Sequence, residues 1–465
     1  MPGGASGSRR NMCVGAMPAP PTWTLAKSRS VQFPPISLWS VRCWRSRVPS
    51  GRSCDMRFSN PPAQRAPGKI RLLLVITGLA VGGATNVVLE LAAHFREHPD
   101  FEVELVTGPI PPGRSDATHL AHQRGIQPRV LPSLVNHIHL PMNLQAVWAL
   151  WRLMRQRRYD IVHTHSSVAG IVGRWAAFMA GVPAIVHHVH GWGMHEGMSQ
   201  ASRLLYLTLE RLSARITHRL IVVSRPDIQK GLGYGIGREE QFTLIYNGID
   251  LARFRQPVNR EEVCAELGLD PDARLVGMVG RLDQQKNPLD FIRAAALVLQ
   301  AEPHTQFVVV GDGSLRPACE RLIDELQLRG RVFLLGTRDD VARIVPILTV
   351  VAMSSLWEGL PIAFLEAMSA GKPIVANDVD GVRDVVVNEE TGFLVTPRQP
   401  AEMAGRILQL LQDPVLCAQM GAEGRQRSGY FSVQRMVRQV ESLYRALLAE
   451  AGRQPLPASA VAHHE

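Results

Sequence analysis

Short apolar runs alternate with longer amphipathic stretches along most of this 465-residue chain. Runs at Arg71–Thr77, Phe101–Thr107, Ile161–His165, Ala184–His190 and Leu220–Ser224 each have the length of a strand. Helix-length segments lie between them. One follows a glycine loop at Gly78, Gly82 and Gly83 and reaches about Phe95; others cover Leu144–Gln156 and Gly170–Ala180. A strand that is apolar on both faces must be covered on both faces, and a helical crossover joins parallel neighbours. The pattern therefore predicts a parallel sheet with helices on each side. It restarts after about Gln241, with strand-length runs at Leu275–Gly280, Phe307–Gly311, Val332–Gly336 and Pro373–Ala376. From Lys69 onward 397 residues remain, enough for two such α/β domains.

The chain's ends read differently. Residues 1–68 are rich in Pro, Ser, Gly and Arg without an apolar period and are expected to be a disordered basic extension, with Met56 the internal methionine nearest the fold. The formal net charge is +10, but residues 1–70 hold 11 basic residues against one acid, Asp55, which leaves 40 of each sign in the body. A neutral body lacks the concentrated basic surface that nucleic-acid binding requires, so no nucleic-acid partner is expected. Cys264, Cys319 and Cys417 lie outside this extension without metal or redox spacing, which suits a reducing cytoplasm. No run reaches the roughly 18 uninterrupted apolar residues of a membrane span. The expected division is residues 69–240 and 241–425 as the two domains, a helix over 426–450 and a frayed end over 451–465.

The chemistry concentrates in the second domain. Glu358 and Glu366 bracket Gly359-Leu360-Pro361-Ile362-Ala363-Phe364-Leu365, a turn that opens a helix. Pro361 suits the first helical position and Gly371 the position just past the helix end. The free N–H groups near Leu360 and Pro361 then form a helix N-terminus able to hold phosphate. One acid before that terminus and one inside it would suit a ligand with hydroxyls on both sides of a diphosphate. Gly280-Arg281-Leu282 and Lys286-Asn287-Pro288 follow the run at Leu275, where open α/β sheets bind ligands. There Arg281, as a fork, and Lys286, as a point charge, can neutralise a diphosphate.

In this order the elements resemble the donor domain of the retaining GT-B glycosyltransferases of family 4, over about Lys69 to Tyr444. The family's Glu-x7-Glu motif falls on Glu358 and Glu366, and its Gly-Arg-Leu…Lys signature on Gly280, Arg281, Leu282 and Lys286. The chain is most similar to bacterial members that build exopolysaccharide or glycan repeat units. The resemblance implies two Rossmann-like domains facing across a cleft, an acceptor domain first and a nucleotide-sugar donor domain second, with the last helix packed back on the first domain. It implies a retaining transfer from a nucleoside-diphosphate sugar, as co-substrate, to a glycan or polyprenyl-linked acceptor. Glu366 would hold the ribose, Glu358 the sugar, and Arg281 and Lys286 the diphosphate. His190-Gly191 matches a His-Gly that faces the donor from the first domain, and Gly82-Gly83 would let backbone approach the phosphates. The implied place is the cytoplasm, at the inner face of the cell membrane. A sugar-nucleotide epimerase of the same fold, a non-catalytic nucleotide-sugar-binding module and a membrane scaffold are the alternatives.

Other features carry competing readings. His163, His165, His187, His188 and His190 lie at two strand ends, with His163 sharing a face with His165 and His188 with His190. No carboxylate or thiolate stands at ligand spacing, so no metal is expected there. Asp378-Val379-Asp380 has the form of a metal-holding pair but reads as a solvated loop, and neither metal nor cofactor is expected to serve the reaction. The segment Leu144–Arg158 interleaves Trp148 and Trp151 with arginines. Its apolar residues are expected in the core, with the arginines at the favourable end of the helix dipole; contact with an anionic membrane surface is the alternative. Thr349 and Asp384 stand where the family commonly has Asp and Glu.

Overall fold

The computed structural model describes residues 68–452, except Pro112 and residues 195–197. Apart from Gly68, Ala451 and Gly452, the expected basic extension and frayed end lie outside the described residues.

Two parallel sheets form. The first contains β1 (Ile70–Ile76), β2 (Phe101–Thr107), β3 (Arg129–Val130), β4 (Ile161–His165), β5 (Ala184–Val189), β6 (Arg219–Val222) and β7 (Phe242–Leu244), in the order β3-β2-β1-β4-β5-β6-β7. The second contains β8 (Leu275–Val279), β9 (Gln306–Val310), β10 (Val332–Gly336), β11 (Val350–Met353), β12 (Ile374–Asn377) and β13 (Gly392–Val395), in the order β10-β9-β8-β11-β12-β13. Every pairing between these strands is parallel. Strand order reverses between β1 and β4 and again between β8 and β11. A crevice opens at such a switch point because the flanking loops leave in opposite directions. The β8–β11 crevice receives the loop with Arg281 and Lys286 and the loop with Glu358.

Strand alternation explains how each sheet is buried. Leu72, Leu74 and Ile76 of β1 enter one core with Val87, Leu91 and Phe95 of the helix Gly83–Glu97. Leu73 and Val75 enter the opposite core with Leu150 and Met154 of the helix Leu140–Arg157 and Val172 of the helix Ser167–Ala180. The second sheet is enclosed in one continuous core that includes Met278, Phe307, Val351 and Phe364.

The chain crosses between domains twice, side by side. Ile249 donates its backbone N–H to Phe431, and Val433 donates to Ile249. An ideal Cβ on Gly248 would stand 2.5 Å from the Ser432 carbonyl oxygen, so Asn247-Gly248 marks a crossing where only glycine fits. The helix Val433–Glu450 then returns to the first domain, placing Met436, Val440, Tyr444 and Leu447 in its core. The expected boundary after residue 240 falls too early, because β7 extends the first sheet. With three residues, β7 carries too little pattern to be assigned from sequence.

Candidate active site

Asp283 organises the loop after β8. Its carboxylate accepts from the Arg281 guanidinium at 2.6 Å and from the Lys286 backbone N–H at 3.0 Å. Gln285 accepts from Arg281 at 2.8 Å and donates to the Trp357 carbonyl at 3.0 Å, tying this loop to the one after β11. Lys286 then forms an ion pair with Glu358, both being largely buried. Buried opposite charges hold each other in place, because either one alone would be strongly destabilised. Asn287 follows with φ 48°, a left-handed conformation that Asn tolerates, and the helix Pro288–Ala301 begins.

Glu358 is fixed through its backbone as well. Its N–H donates to Asp380 at 3.3 Å, and the same carboxylate accepts from Lys230 of the first domain at 2.5 Å. The helix after Glu358 spans Ile362–Ser369, so Pro361 is its N-cap and not its first residue as expected. Gly371 adopts φ 71°, the left-handed conformation expected of it beyond the helix. Leu360 is buried in the second core, and Glu366 lies inside the helix.

The first domain meets these loops backbone to backbone. An ideal Cβ on Gly359 would overlap the His190 carbonyl oxygen and stand 3.0 Å from the Gly191 nitrogen. Within the second domain Gly381 is pressed against the Gly359 carbonyl, and an ideal Cβ on it would also stand 2.7 Å from Ser224 Cβ of the first domain. An ideal Cβ on Gly83 would stand 3.0 Å from Ile362 Cγ1. One on Gly82 would lie 3.9 Å from an Arg114 nitrogen and 4.0 Å from one of Arg281. Partial desolvation and then the neighbouring Arg281 charge lower the pKa of Arg114. Two guanidinium groups from opposite domains thus converge over a side-chain-free stretch, an arrangement that favours an anion between them.

Burial alone holds the His190 imidazole down at about 3, so it is neutral in the working range and offers one donor and one acceptor. Burial pushes the Glu366 carboxyl up to about 7, with Arg253 pulling the other way. The sign of the consequence is fixed. The folded chain retains a proton that the unfolded chain releases near 4.5, so this contribution to stability is present below about 4.5 and is lost as pH rises through about 7. Glu366→Gln cannot ionise. Its melting temperature without ligand should match wild type near pH 4.5, exceed it progressively as pH rises, and level off above pH 7. A constant difference across this range, read by scanning calorimetry, would remove Glu366 from its buried assignment.

The structure thus brings Arg281, Lys286, Glu358, Leu360 and Pro361 to one crevice and sets Gly82, Gly83 and His190 against it. Arg114, Lys230, Asp283, Gln285 and Asp380 were not singled out from sequence as functional. Asp283 carried a signal, because aspartate is favoured in turns, where its side chain accepts from nearby backbone N–H groups. Lys230 and Asp380 are 150 residues apart in the chain and meet only through the fold. Asp380 corrects the solvated-loop reading: it bridges Lys230 to the backbone of Glu358 and adopts φ 39°. Its neighbour Asp378 is instead paired with Arg383.

The family model described as Glycosyltransferase Family 4 matches residues 81–253, and that described as Glycosyl transferases group 1 matches residues 259–427. The UDP-Gal:alpha-D-GlcNAc-diphosphoundecaprenol alpha-1,3-galactosyltransferase of Escherichia coli is 36% identical over 290 residues, covering 62% of this chain and 75% of that protein. The putative glycosyltransferase EpsD of Bacillus subtilis (strain 168) is 30% identical over 314 residues, covering 66% and 82%. Among solved structures, Anabaena Alr3699/HepE in complex with UDP superposes with a TM-score of 0.67 at 25% identity, over 81% of this chain and 100% of that one. The sucrose-phosphate synthase of Thermosynechococcus elongatus, at 24% identity, shares the fold with a TM-score of 0.71, over 82% and 100% of the two chains.

Proposed function

The chain belongs to the family 4 glycosyltransferases of GT-B fold, and from that premise we propose that it transfers a sugar with retention from a nucleoside-diphosphate sugar to a glycan or polyprenyl-linked acceptor in polysaccharide assembly. The observation that carries the reading is the Lys286–Glu358 pair beside Arg281, at the second sheet's switch point and against His190 and Gly82-Gly83.

Departure of the nucleoside diphosphate is the barrier to be lowered. As the bond from sugar C1 to the phosphate oxygen breaks, negative charge grows on that oxygen. Arg281, Lys286 and the N-terminus of the helix Ile362–Ser369 would stabilise it without reorganising. Glu366 would hold the ribose hydroxyls. Glu358 would hold the sugar hydroxyls and orient C1, and neutral His190 would contact the sugar from the first domain. The acceptor oxygen would bond to C1 on the face the phosphate leaves, passing its proton to the departing phosphate oxygen. Uridine diphosphate is the nucleotide to test first, because the E. coli relative's name and the HepE complex both carry it.

The decisive experiment is a thermal-shift screen of nucleotide-sugars, followed by product analysis with sugar-diphosphate-polyprenol acceptors. A stabilising donor should give a product whose new bond keeps the donor's anomeric configuration. Interconversion of the donor sugar without acceptor would identify an epimerase instead, and binding without turnover a non-catalytic module. We propose further that the reaction needs no metal, since side-chain cations can carry the diphosphate charge. Adding EDTA should leave the initial rate unchanged. Loss of the rate with restoration by Mn²⁺ would return Asp378 and Asp380 to the role of metal ligands.

The acceptor domain carries a surface suited to a membrane-borne acceptor. Ala146, Leu150, Leu153 and Met154 of the helix Leu140–Arg157 are buried, as the core reading expected. Leu140, Leu144 and Trp148 of the same helix are exposed, with Arg152 and Arg155 beside them. The helix Gln200–Ala214 adds exposed Leu204, Leu205, Arg203 and Arg211. Among the described residues no helix is long and apolar enough to cross a membrane. Exposed apolar side chains mixed with arginines suit a peripheral contact with anionic lipid, at the inner face of the cell membrane. The double substitution Leu144→Glu and Trp148→Glu should weaken sedimentation with phosphatidylglycerol vesicles by about a hundredfold or more, since a side chain of this kind contributes roughly 1.5–3 kcal/mol when it passes from water into the lipid interface. Unchanged sedimentation would rule this face out.

A further inference from the structure

Four imidazoles stand together in the first domain, on one face of the sheet. His163 and His165 come from β4, His188 from β5, and His190 from just beyond β5. His165 is paired with His188 in the parallel register, and alternate residues share a face, so their side chains converge. Ring centroids lie 4.2 Å apart for His163 and His165, 5.2 Å for His165 and His188, and 4.3 Å for His188 and His190. His187 points the other way and bonds to Thr164 at 2.9 Å.

The hydrogen bonds are asymmetric. His163 Nδ1 bonds to the Tyr444 hydroxyl at 2.5 Å, and His165 Nδ1 to His190 Nε2 at 3.0 Å. His163 Nε2, His165 Nε2, both nitrogens of His188 and His190 Nδ1 are buried without a hydrogen-bond partner among the described residues. Orphaned buried nitrogens in such number are rare in folded chains, and each calls for an occupant. His163, His165 and His188 each offer a ring nitrogen, all within 4.8 Å of one another.

We propose that His163, His165 and His188 form a transition-metal site, with zinc the reference ion. If the Nε2 atoms of His163 and His165 ligate, each Nδ1 carries the proton and donates it, to Tyr444 and to His190 respectively. Such outer partners fix the tautomer and ring orientation of metal-binding histidines. Zinc–nitrogen bonds of about 2.0–2.1 Å place tetrahedral ligands about 3.3 Å apart, closer than the 4.8 Å within which these nitrogens lie, so binding requires the rings, His163 and His188 being stacked, to turn toward the ion. The sequence argued against a metal because no carboxylate or thiolate stood at ligand spacing beside the two histidine pairs. Parallel pairing of β4 and β5 supplies a third imidazole instead. The ion would tie these strands together and, through Tyr444, to the returning C-terminal helix.

The test uses the full chain purified without a polyhistidine tag. About one equivalent of metal should remain after gel filtration, added Zn²⁺ should raise the melting temperature of metal-stripped protein, and Co²⁺ should give visible ligand-field absorption. His188→Gln should weaken Zn²⁺ binding by more than about tenfold, since even loss of an outer partner costs that much. Replacing His463 and His464 near the C-terminus by Ala should leave it intact. If wild type retains no metal and Zn²⁺ leaves its melting temperature unchanged, the proposal fails. It fails equally if His188→Gln binds as wild type does, or if binding follows His463 and His464. Should His188→Gln not fold, the Zn²⁺ titration and Co²⁺ spectrum of wild type decide alone.

Discussion

Lys286→Ala should lower kcat by about 10²–10³-fold, equivalent to roughly 2.7–4 kcal/mol, with a much smaller change in the donor KM. The reason is timing. Lys286 is paired with Glu358, so much of its charge is already balanced within the protein. Its largest gain comes when charge accumulates on the departing phosphate, and interactions made chiefly in the transition state appear in kcat. Glu366→Ala should act in the opposite sense, raising KM by the roughly 1–3 kcal/mol of a lost buried hydrogen-bond partner and sparing kcat. Glu358→Ala should damage both, because it removes the sugar's holder and leaves Lys286 buried and unpaired. Steady-state kinetics on the three variants with the productive donor separate these roles. The assignment of the crevice collapses if Glu366→Ala keeps a normal KM while Glu358→Ala stays near wild type.

Gly359→Ala should damage activity far more than it damages the fold. The added Cβ would overlap the His190 carbonyl oxygen, which belongs to the other domain. The clash is relieved by opening the cleft, and no buried apolar side chain has to leave its core. Nucleotide binding to the second domain should therefore survive, and turnover should fall by about 10²-fold or more, the cost of about 1 Å of misplacement between reacting groups. Gly405→Ala is the control: nothing stands within 4 Å of that Cβ and the residue is exposed on the helix Pro400–Gln412, where alanine is the better helix former. Calorimetric binding of the nucleotide beside a rate measurement tests this directly. Wild-type turnover in Gly359→Ala would show that the two domains do not close against each other at this contact during the reaction.

Much of the frame was legible in the chain. Phe101–Thr107 and Ile161–His165 coincide with β2 and β4, and the last helix, Val433–Glu450, falls within the span expected over 426–450, because strongly periodic segments declare their burial locally. The segments least marked in the sequence were short. β3 has two residues and β7 three, and each is held by the neighbouring strand, not by its own pattern. The cap position of Pro361 moved by one residue because the helix start depends on backbone dihedrals that composition does not specify.

The sequence by itself determined the parallel α/β architecture, the placing of Arg281 and Lys286 in a loop at a strand end, and the placing of Glu358 just before a helix start. Those properties follow from local alternation of burial and from loop chemistry, both written within a few residues. Only the tertiary structure decided which of these groups meet. The Lys286–Glu358 pair spans 72 residues, Lys230–Asp380 spans 150, and the His163–Tyr444 bond spans 281. The same holds for the glycine contacts of the cleft, where a missing side chain matters only once another backbone approaches. Strand order and domain approach fix such pairings, and both are set by the whole chain folding around its cores, so no local stretch of sequence can encode them.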